Sequence, residues 1–333
     1  MDALPFPQAV PLPAASMRAA VVVGPCRTRL HRVGRPEPGP GQVRIRLEGC
    51  GVCASNVVPW EGPPWMRFPT DPGGLGHEGW GVIDAVGPEV SGLSPGDRVA
   101  SLSQRSYAEY DIAEADAVVG LPPALDGRPF PGEPLGCAMN IFRRAGIEAG
   151  QTVAIVGIGF LGALLTQLAA GAGARVIAIS RRAFSLEVAR RMGAAETLAL
   201  DDPAAVIEAV RGLTAGDLCP RVIEAVGKQG PLDLAGELAA VRGRLTIAGY
   251  HQDGPRQVNL ELWNWRGLDV VNAHERDPRR YAEGVRAAID AVMAGRLDPD
   301  PLYTHVFPLD QLDQALAATR DRPDGFLKAL VAP

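Results

Sequence analysis

Apolar positions follow two rhythms along this chain. Up to residue 135 they come in short runs of β type, at 18–23, 42–47, 81–86 and 98–102. Turn signals such as Pro38-Gly39-Pro40-Gly41 and Ser94-Pro95-Gly96-Asp97 separate them. That pattern predicts a β-rich, barrel-like domain. The rhythm changes near Cys137. A run at 152–156 is followed by Leu164, Leu165 and Leu168 at helical spacing within 161–172, then by a run at 175–179 and a helix over 184–192 that stops at Gly193. Further buried-strand candidates lie at 222–226, 244–249 and 268–271, with helical material between. Strands alternating with helices predict a parallel, doubly wound sheet. The tail predicts helices over 280–294 and 309–319 and a last strand over 327–331. The simplest assembly is an α/β protein whose first domain, residues 17–137 and 273–333, is split by a doubly wound domain over 138–272.

Composition narrows the classes. The chain has 333 residues, 47% hydrophobic and 21% charged, with a net charge of −5. It is long enough for two cores, and no basic excess points to nucleic acid or an anionic membrane surface. No apolar run reaches the ~20 residues of a membrane span. Residues 1–16 hold four prolines and no basic residue, so they lack the charge and the unbroken apolar stretch of a secretory signal. They read as a disordered arm, or as a stretch ahead of the true start, with a strand beginning at Met17. Cys26, Cys50, Cys53, Cys137 and Cys219 are odd in number and scattered, which predicts free thiols in a reducing cytoplasm rather than a disulfide framework.

Two constellations carry chemistry. The first is Gly157-Ile158-Gly159-Phe160-Leu161-Gly162, a Gly-x-Gly-x-x-Gly turn with a predicted strand before it, a helix after it and a second strand beyond. In such a turn the first glycine allows a tight bend, the second lets backbone approach a pyrophosphate, and the third lets helix and strand pack closely. The next strand ends in Ser180-Arg181-Arg182 rather than in an Asp or Glu that would accept from a ribose 2′-OH. A hydroxyl followed by two guanidinium groups suits a 2′-phosphate, so NADP(H) is expected over NAD(H). A solvated helix start is the plainer reading of the same residues.

The second constellation is Cys53, His77-Glu78 and Glu133. Thiolate, imidazole and carboxylate gathered from distant segments fit a catalytic zinc better than a structural one. Plainer readings stay open: Cys53 as a small buried residue, His77 as a core histidine, Glu133 as a helix-start carboxylate before Pro134. Cys50 completes a formal Cys-x-x-Cys with Cys53 but has no second pair, so it reads as a packed strand residue. Cys137 stands one helical turn after Glu133 and reads as a core residue near the site. Trp60, Trp65 and Met66 are candidates to wall a pocket, and the few charges around them suggest a neutral substrate.

The ordered segments Gly51-Val52-Cys53-Ala54-Ser55, Gly76-His77-Glu78-Gly79-Trp80-Gly81, Gly96-Asp97-Arg98-Val99, Glu133-Pro134-Leu135 and the run from Val153 to Gly162 resemble the zinc-dependent medium-chain dehydrogenase/reductase superfamily, the alcohol and polyol dehydrogenases. The resemblance runs from Met17 to about Val331. It implies a GroES-like catalytic domain and a Rossmann domain. It implies that Cys53, His77 and Glu133 bind one catalytic zinc, as in the sorbitol-dehydrogenase-like branch, with Glu78 behind them or alternating as a fourth ligand. Ser55 would hold the substrate hydroxyl and pass on its proton. Lys328 would meet the cofactor pyrophosphate. Val226, Gly249, Tyr250, Asn272, Ala273 and His274 would lie in the cofactor cleft, and a homodimer or homotetramer would form along the sheet edge near Val270. Three positions depart from the family pattern. No cysteine lobe follows the Gly96–Val99 segment, so no structural zinc is expected. Asn56 stands where an aspartate orients the metal histidine, and Val58 where a relay histidine ends some proton paths. The activity implied is hydride transfer between NADP(H) and a secondary alcohol, polyol or cyclitol and its ketone. The rivals are a zinc-free reductase of an activated double bond and a cofactor-binding protein with a decayed site.

Overall fold

The computed structural model describes residues 15–333, so most of the arm expected over 1–16 lies outside the described residues. Two hydrogen-bonded sheet systems divide the work. In the first, β1 (Ser16–Gly24) and β2 (Arg27–Gly34) form an antiparallel hairpin. β3 (Gln42–Gly51) is followed by a short helix α1 (Val57–Glu61), β4 (Gly79–Val86), β5 (Arg98–Ser101), β6 (Tyr110–Glu114), β7 (Val118–Gly120) and helix α2 (Gly132–Ala145). β3 is the spine of a mixed sheet. It pairs with β4 along most of its length and with β6 over Gln42–Arg46. Val43, Ile45 and Leu47 turn inward at alternate positions, as a half-buried strand requires.

The second system is parallel. β8 (Thr152–Val156), α3 (Phe160–Gly171), β9 (Arg175–Ser180), α4 (Ala183–Arg191), β10 (Glu196–Ala199), α5 (Pro203–Leu213), β11 (Cys219–Glu224), α6 (Gln229–Leu238), β12 (Ala239–Ile247), α7 (Leu260–Arg266) and β13 (Asp269–Asn272) give the strand order β10-β9-β8-β11-β12-β13. The order reverses direction between β8 and β11, and ligands of such sheets bind beyond the strand ends at that crevice. Val153 through Val156 are fully buried, the continuous apolar strand that a sheet covered on both faces demands. The chain then returns through α8 (Pro278–Met293), β14 (His305–Pro308), α9 (Leu312–Asp321) and β15 (Ala329–Ala332), and β15 pairs with the end of β3. The fold is α/β, a GroES-like mixed-sheet part and a Rossmann part. No helix among the described residues is long and apolar enough to cross a membrane.

Several boundaries differ from the sequence expectation for identifiable reasons. β2 was not expected, because Arg27, Arg29 and Arg32 break its apolar alternation; it lies on the hairpin with only Thr28, Leu30 and Val33 partly covered. α9 starts at Leu312 because 309–311 form a tighter 3₁₀ turn. β12 starts at Ala239, five residues before the apolar run, where Arg242 bends through φ 58.

Candidate active site

Three elements meet at the end of β3. Cys53 precedes a 3₁₀ turn, Ala54–Asn56, that leads into α1. His77 and Glu78 lie on the approach to β4, where the Gly51 N–H donates to the Glu78 carbonyl at 3.1 Å. Gly51 is needed there. A Cβ on it would stand 1.8 Å from Glu78 Oε2, so the glycine makes the room the carboxylate occupies. The Cys53 thiol, the His77 ring and a Glu78 oxygen each present a donor atom, all within 4.8 Å of one another.

His77 is held from behind. Its Nδ1 lies 3.0 Å from the Leu75 carbonyl, which can only accept, so Nδ1 carries the proton and Nε2 is left for the cluster. Asn56 is 4% exposed, and its amide is fully used: Nδ2 donates to the Leu75 carbonyl at 2.8 Å, and Oδ1 accepts from the Tyr107 hydroxyl at 2.9 Å and from the Cys53 N–H at 3.3 Å. Asn56 Nδ2 also stands 3.4 Å from His77 Nδ1. The Leu75 carbonyl thus orients the imidazole, and the Asn56 amide braces that same carbonyl from behind. Burial works to lower the His77 pKa, but the hydrogen bond and charge of Cys53, with Glu133 and Glu78, raise it to about 10.

Glu78 is fully buried and paired with Lys328, whose Nζ donates to Glu78 Oε1 at 2.7 Å and to the Val52 carbonyl at 3.1 Å. Oε2 is 2.5 Å from the same ammonium but badly aligned, which leaves it buried without a hydrogen bond. Lys328 also stands 5.0 Å over the Phe160 ring, beside the glycine turn. Glu133 lies in the first turn of α2, so its place at a helix start and its place near the cluster coexist. It is not one of the three residues whose donor atoms lie within 4.8 Å; its Oε1 accepts from the Cys137 thiol at 3.2 Å, and burial raises its pKa while the His77 charge lowers it. Close packing of α2 on α8 fixes it there: a Cβ on Gly136 would meet the Val285 N atom at 2.8 Å.

Anionic and soft donors around an imidazole fit a zinc ion. Cys53, His77 and Glu133 or Glu78 would hold it. Ser55, two positions after Cys53, is half-buried in the same 3₁₀ turn.

The dinucleotide turn stands at the sheet crevice. Gly157 has φ 101, and a Cβ on it would lie 2.3 Å from Val226 of the neighbouring strand end. A Cβ on Gly162 would lie 2.0 Å from the Gly157 carbonyl oxygen, so both positions exclude a side chain. Gly159 is different: a Cβ there would meet nothing within 4 Å, and it faces open space at the N-terminus of α3, where no side chain caps the helix and no acid stands in the first turn. Free N–H groups and the helix dipole suit a pyrophosphate. The ends of β11, β12 and β13 bring Val226, Gly249, Tyr250, Asn272, Ala273 and His274 to the same crevice: Ala273 N–H donates to the Ile247 carbonyl at 2.9 Å, and the Tyr250 and His274 rings stack at 5.6 Å. Ser180 is buried at the end of β9, Arg181 is exposed and Arg182 is half-buried.

Comparison with known proteins fits this geometry. The family model described as alcohol dehydrogenase GroES-like domain matches residues 39–123, and the model described as zinc-binding dehydrogenase matches residues 161–291. The chain belongs to the zinc-dependent medium-chain dehydrogenase/reductase superfamily. This dehydrogenase is 28% identical to sorbitol dehydrogenase of Ovis aries, over 92% of this chain and 94% of that one. It is 26% identical to L-threonine 3-dehydrogenase of Bacillus subtilis, over 91% and 94%. A zinc-binding dehydrogenase structure from Sinorhizobium meliloti, bound to NADP, superposes with a TM-score of 0.81 at 28% identity, over 96% of this chain and all of that one. A short chain alcohol dehydrogenase from Escherichia coli, complexed with NADH, gives 0.85 at 22% identity over 96% and 100%, a likeness of fold alone. The protein is an oxidoreductase of the zinc-binding dehydrogenase family.

Two expectations about the dehydrogenase's pocket need correcting. Trp60 is 3% exposed and does not wall a pocket; its Nε1 donates to Asp313 at 2.8 Å and Arg320 covers its ring, which fastens α1 to α9. Trp65 and Met66 do line a cavity of about 550 Å³, but so do Arg67, Asp71 and Arg105, so that wall is charged rather than neutral. Sequence reasoning also missed Glu224. It is fully buried, accepts from the Val226 and Gly227 N–H groups at 2.7 and 2.8 Å, and meets His251 at 3.1 Å, thereby setting the loops after β11 and β12. The signal was present: Glu224 is a lone carboxylate ending the apolar run Val222-Ile223.

Proposed function

We propose that this protein transfers hydride between NADP(H) and a secondary alcohol, polyol or cyclitol and its ketone, with one zinc in the Cys53–His77 cluster. The observation that carries the reading is the meeting of Cys53, His77 and Glu78 donor atoms within 4.8 Å, with Glu133 acting on the same imidazole. Bound zinc supplies Lewis-acid polarisation of the substrate oxygen, and the nicotinamide supplies or accepts the hydride. The chain's own residues do the rest. The Leu75 carbonyl, itself held by Asn56, keeps the His77 ring in one orientation, with Nε2 toward the cluster. Lys328 neutralises Glu78 at the floor, which keeps a second buried carboxylate charge from dominating the site. Ser55 is the group to take and release the alcohol proton, because it combines a hydroxyl with access to solvent. Gly159 and the first turn of α3 receive the pyrophosphate, and the β11–β13 ends flank the nicotinamide.

The edge position of β13 and the exposed Trp265 beside it support a homodimer or homotetramer, and five free cysteines suit a cytoplasmic setting. Asn56 supports a second reading, a zinc-free reductase of an activated double bond, because an amide leaves the imidazole less basic than a carboxylate would. Kinetics on a panel of polyols, secondary alcohols, ketones and enones, with and without chelator, separate the two. Chelator-sensitive turnover of alcohols with NADP⁺ is expected. Chelator-resistant reduction of enones alone would overturn the leading reading.

A further inference from the structure

A chain of charged and polar side chains joins the loop after β11 to the loop after β12. It begins at the buried Glu224, whose Oε1 accepts from the Val226 and Gly227 N–H groups. Its Oε2 lies 3.1 Å from His251 Nε2. On the other side of that ring, Arg256 Nε donates to His251 Nδ1 at 2.9 Å. A guanidinium can only donate, so Nδ1 accepts, and Nε2 carries the proton that it donates to Glu224. Arg256 Nη2 also donates to the Gly227 carbonyl at 2.9 Å. Its guanidinium pairs with Asp253, which in turn pairs with Lys228. The chain therefore leaves the β11 loop at Glu224, crosses to the β12 loop at His251 and returns to the β11 loop at Gly227 and Lys228.

The β12 loop has little apolar packing of its own. Tyr250 and Val258 are exposed, and His251, Arg256 and Val258 line a cavity of about 340 Å³ together with Leu232 and Trp263. Besides the chain, Gln257 ties the far end of the loop to α6: its N–H donates to Gln229 Oε1 at 3.0 Å, and Gln229 Nε2 donates to its carbonyl at 2.8 Å. At the near end the two loops touch backbone to backbone. A Cβ on Gly249 would stand 2.2 Å from the Gly227 N atom, and one on Gly227 would stand 2.6 Å from the Tyr250 carbonyl oxygen. With no side chain between them there, polar bonds set their spacing. An imidazole suits that task, because it offers one donor and one acceptor in a rigid plane and links the Arg256 charge to a buried carboxylate.

What the chain holds adjoins the dinucleotide turn. Val226, whose N–H Glu224 takes, is the residue that a Cβ on Gly157 would strike. Tyr250, next to His251, stacks on His274 beyond the end of β13. We propose that His251 is a positioning residue for the nicotinamide: by connecting Arg256 to Glu224 it fixes the two loops that flank the ring. The proposal rests on the dinucleotide reading above and holds for NADP(H) and NAD(H) alike.

Calorimetric titration of the full chain with NADP⁺ and 2′-phospho-ADP-ribose, and with NAD⁺ and ADP-ribose, tests it, because each pair differs only in the nicotinamide ring. His251→Leu removes both ring bonds. It is expected to lose about tenfold in affinity for the dinucleotide that the wild type prefers, and to keep its affinity for the matching ring-less molecule within about twofold. His251→Gln, whose amide again offers one donor and one acceptor, should recover most of the loss. Arg256→Met breaks the chain one link further on and should lose in the same sense, which keeps the test open if His251→Leu does not fold. Equal losses for dinucleotide and ring-less molecule, or wild-type affinity for both, overturn the role of His251 and leave the dinucleotide reading intact. Failure of the wild type to bind either dinucleotide sinks the hydride-transfer reading itself.

Discussion

Single side chains set the chemistry of the cluster. Lys328 and Glu78 form a buried pair, and removing one partner strands the other charge. Lys328→Met is expected to cost about 3–5 kcal/mol in denaturant unfolding, and Lys328→Met with Glu78→Gln to recover most of it. His77 gives the pH signature. In chelated protein its pKa is raised from 6.5 to about 10, against the pull of burial, by Cys53, Glu133 and Glu78. A histidine whose folded value lies above its unfolded one stabilises fully below the unfolded value and loses that contribution as pH rises through the folded one. The stability advantage of chelated wild type over His77→Asn should therefore shrink from about pH 6.5 to about pH 10 in thermal melts. An advantage that grows over that range would mean that the imidazole is neutral in the metal-free protein. Cys53, His77 and Glu133 were legible as chemistry because thiol, imidazole and carboxylate stand out against apolar and glycine-rich surroundings. Their support was not. Asn56 was visible, but its bonds to Leu75 and Tyr107 join residues far apart in sequence, and no local pattern announces a backbone carbonyl as the orienting group.

Elements supply precision where side chains cannot. The glycine turn works because its glycines fail differently on substitution. Gly162→Ala would press a Cβ against the Gly157 carbonyl and is expected to cost about 1–3 kcal/mol and lower Tm. Gly159→Ala meets open space, so Tm should hold while dinucleotide affinity, read by titration, falls. Equal effects of the two on both readouts would contradict the assignment of Gly159 to the ligand side. The parallel strands were readable because burial on both faces makes them uninterrupted apolar runs, as at 152–156 and 175–179. β2 escaped because an exposed hairpin strand needs no apolar alternation, and Trp60 was misplaced because aromatic identity alone does not distinguish a pocket wall from a clasp on α9.

At the scale of the molecule, β15 closes the design. It returns from the far end of the chain to pair with β3 and carries Lys328 just ahead of it to Glu78, so the cluster is completed only after the whole Rossmann part has been traversed. Arg182 bonds across the same seam, to Phe326. The sheet crevice between β8 and β11 thus opens beside a set of donors that suits a cation, and the pairing of hydride carrier with metal is the central claim. Metal analysis of protein purified without added zinc tests it most directly. About one zinc per chain in the wild type, falling to near background in Cys53→Ala and His77→Ala, is the expected result. Less than ~0.2 zinc per chain in a folded, cofactor-binding wild type would contradict it.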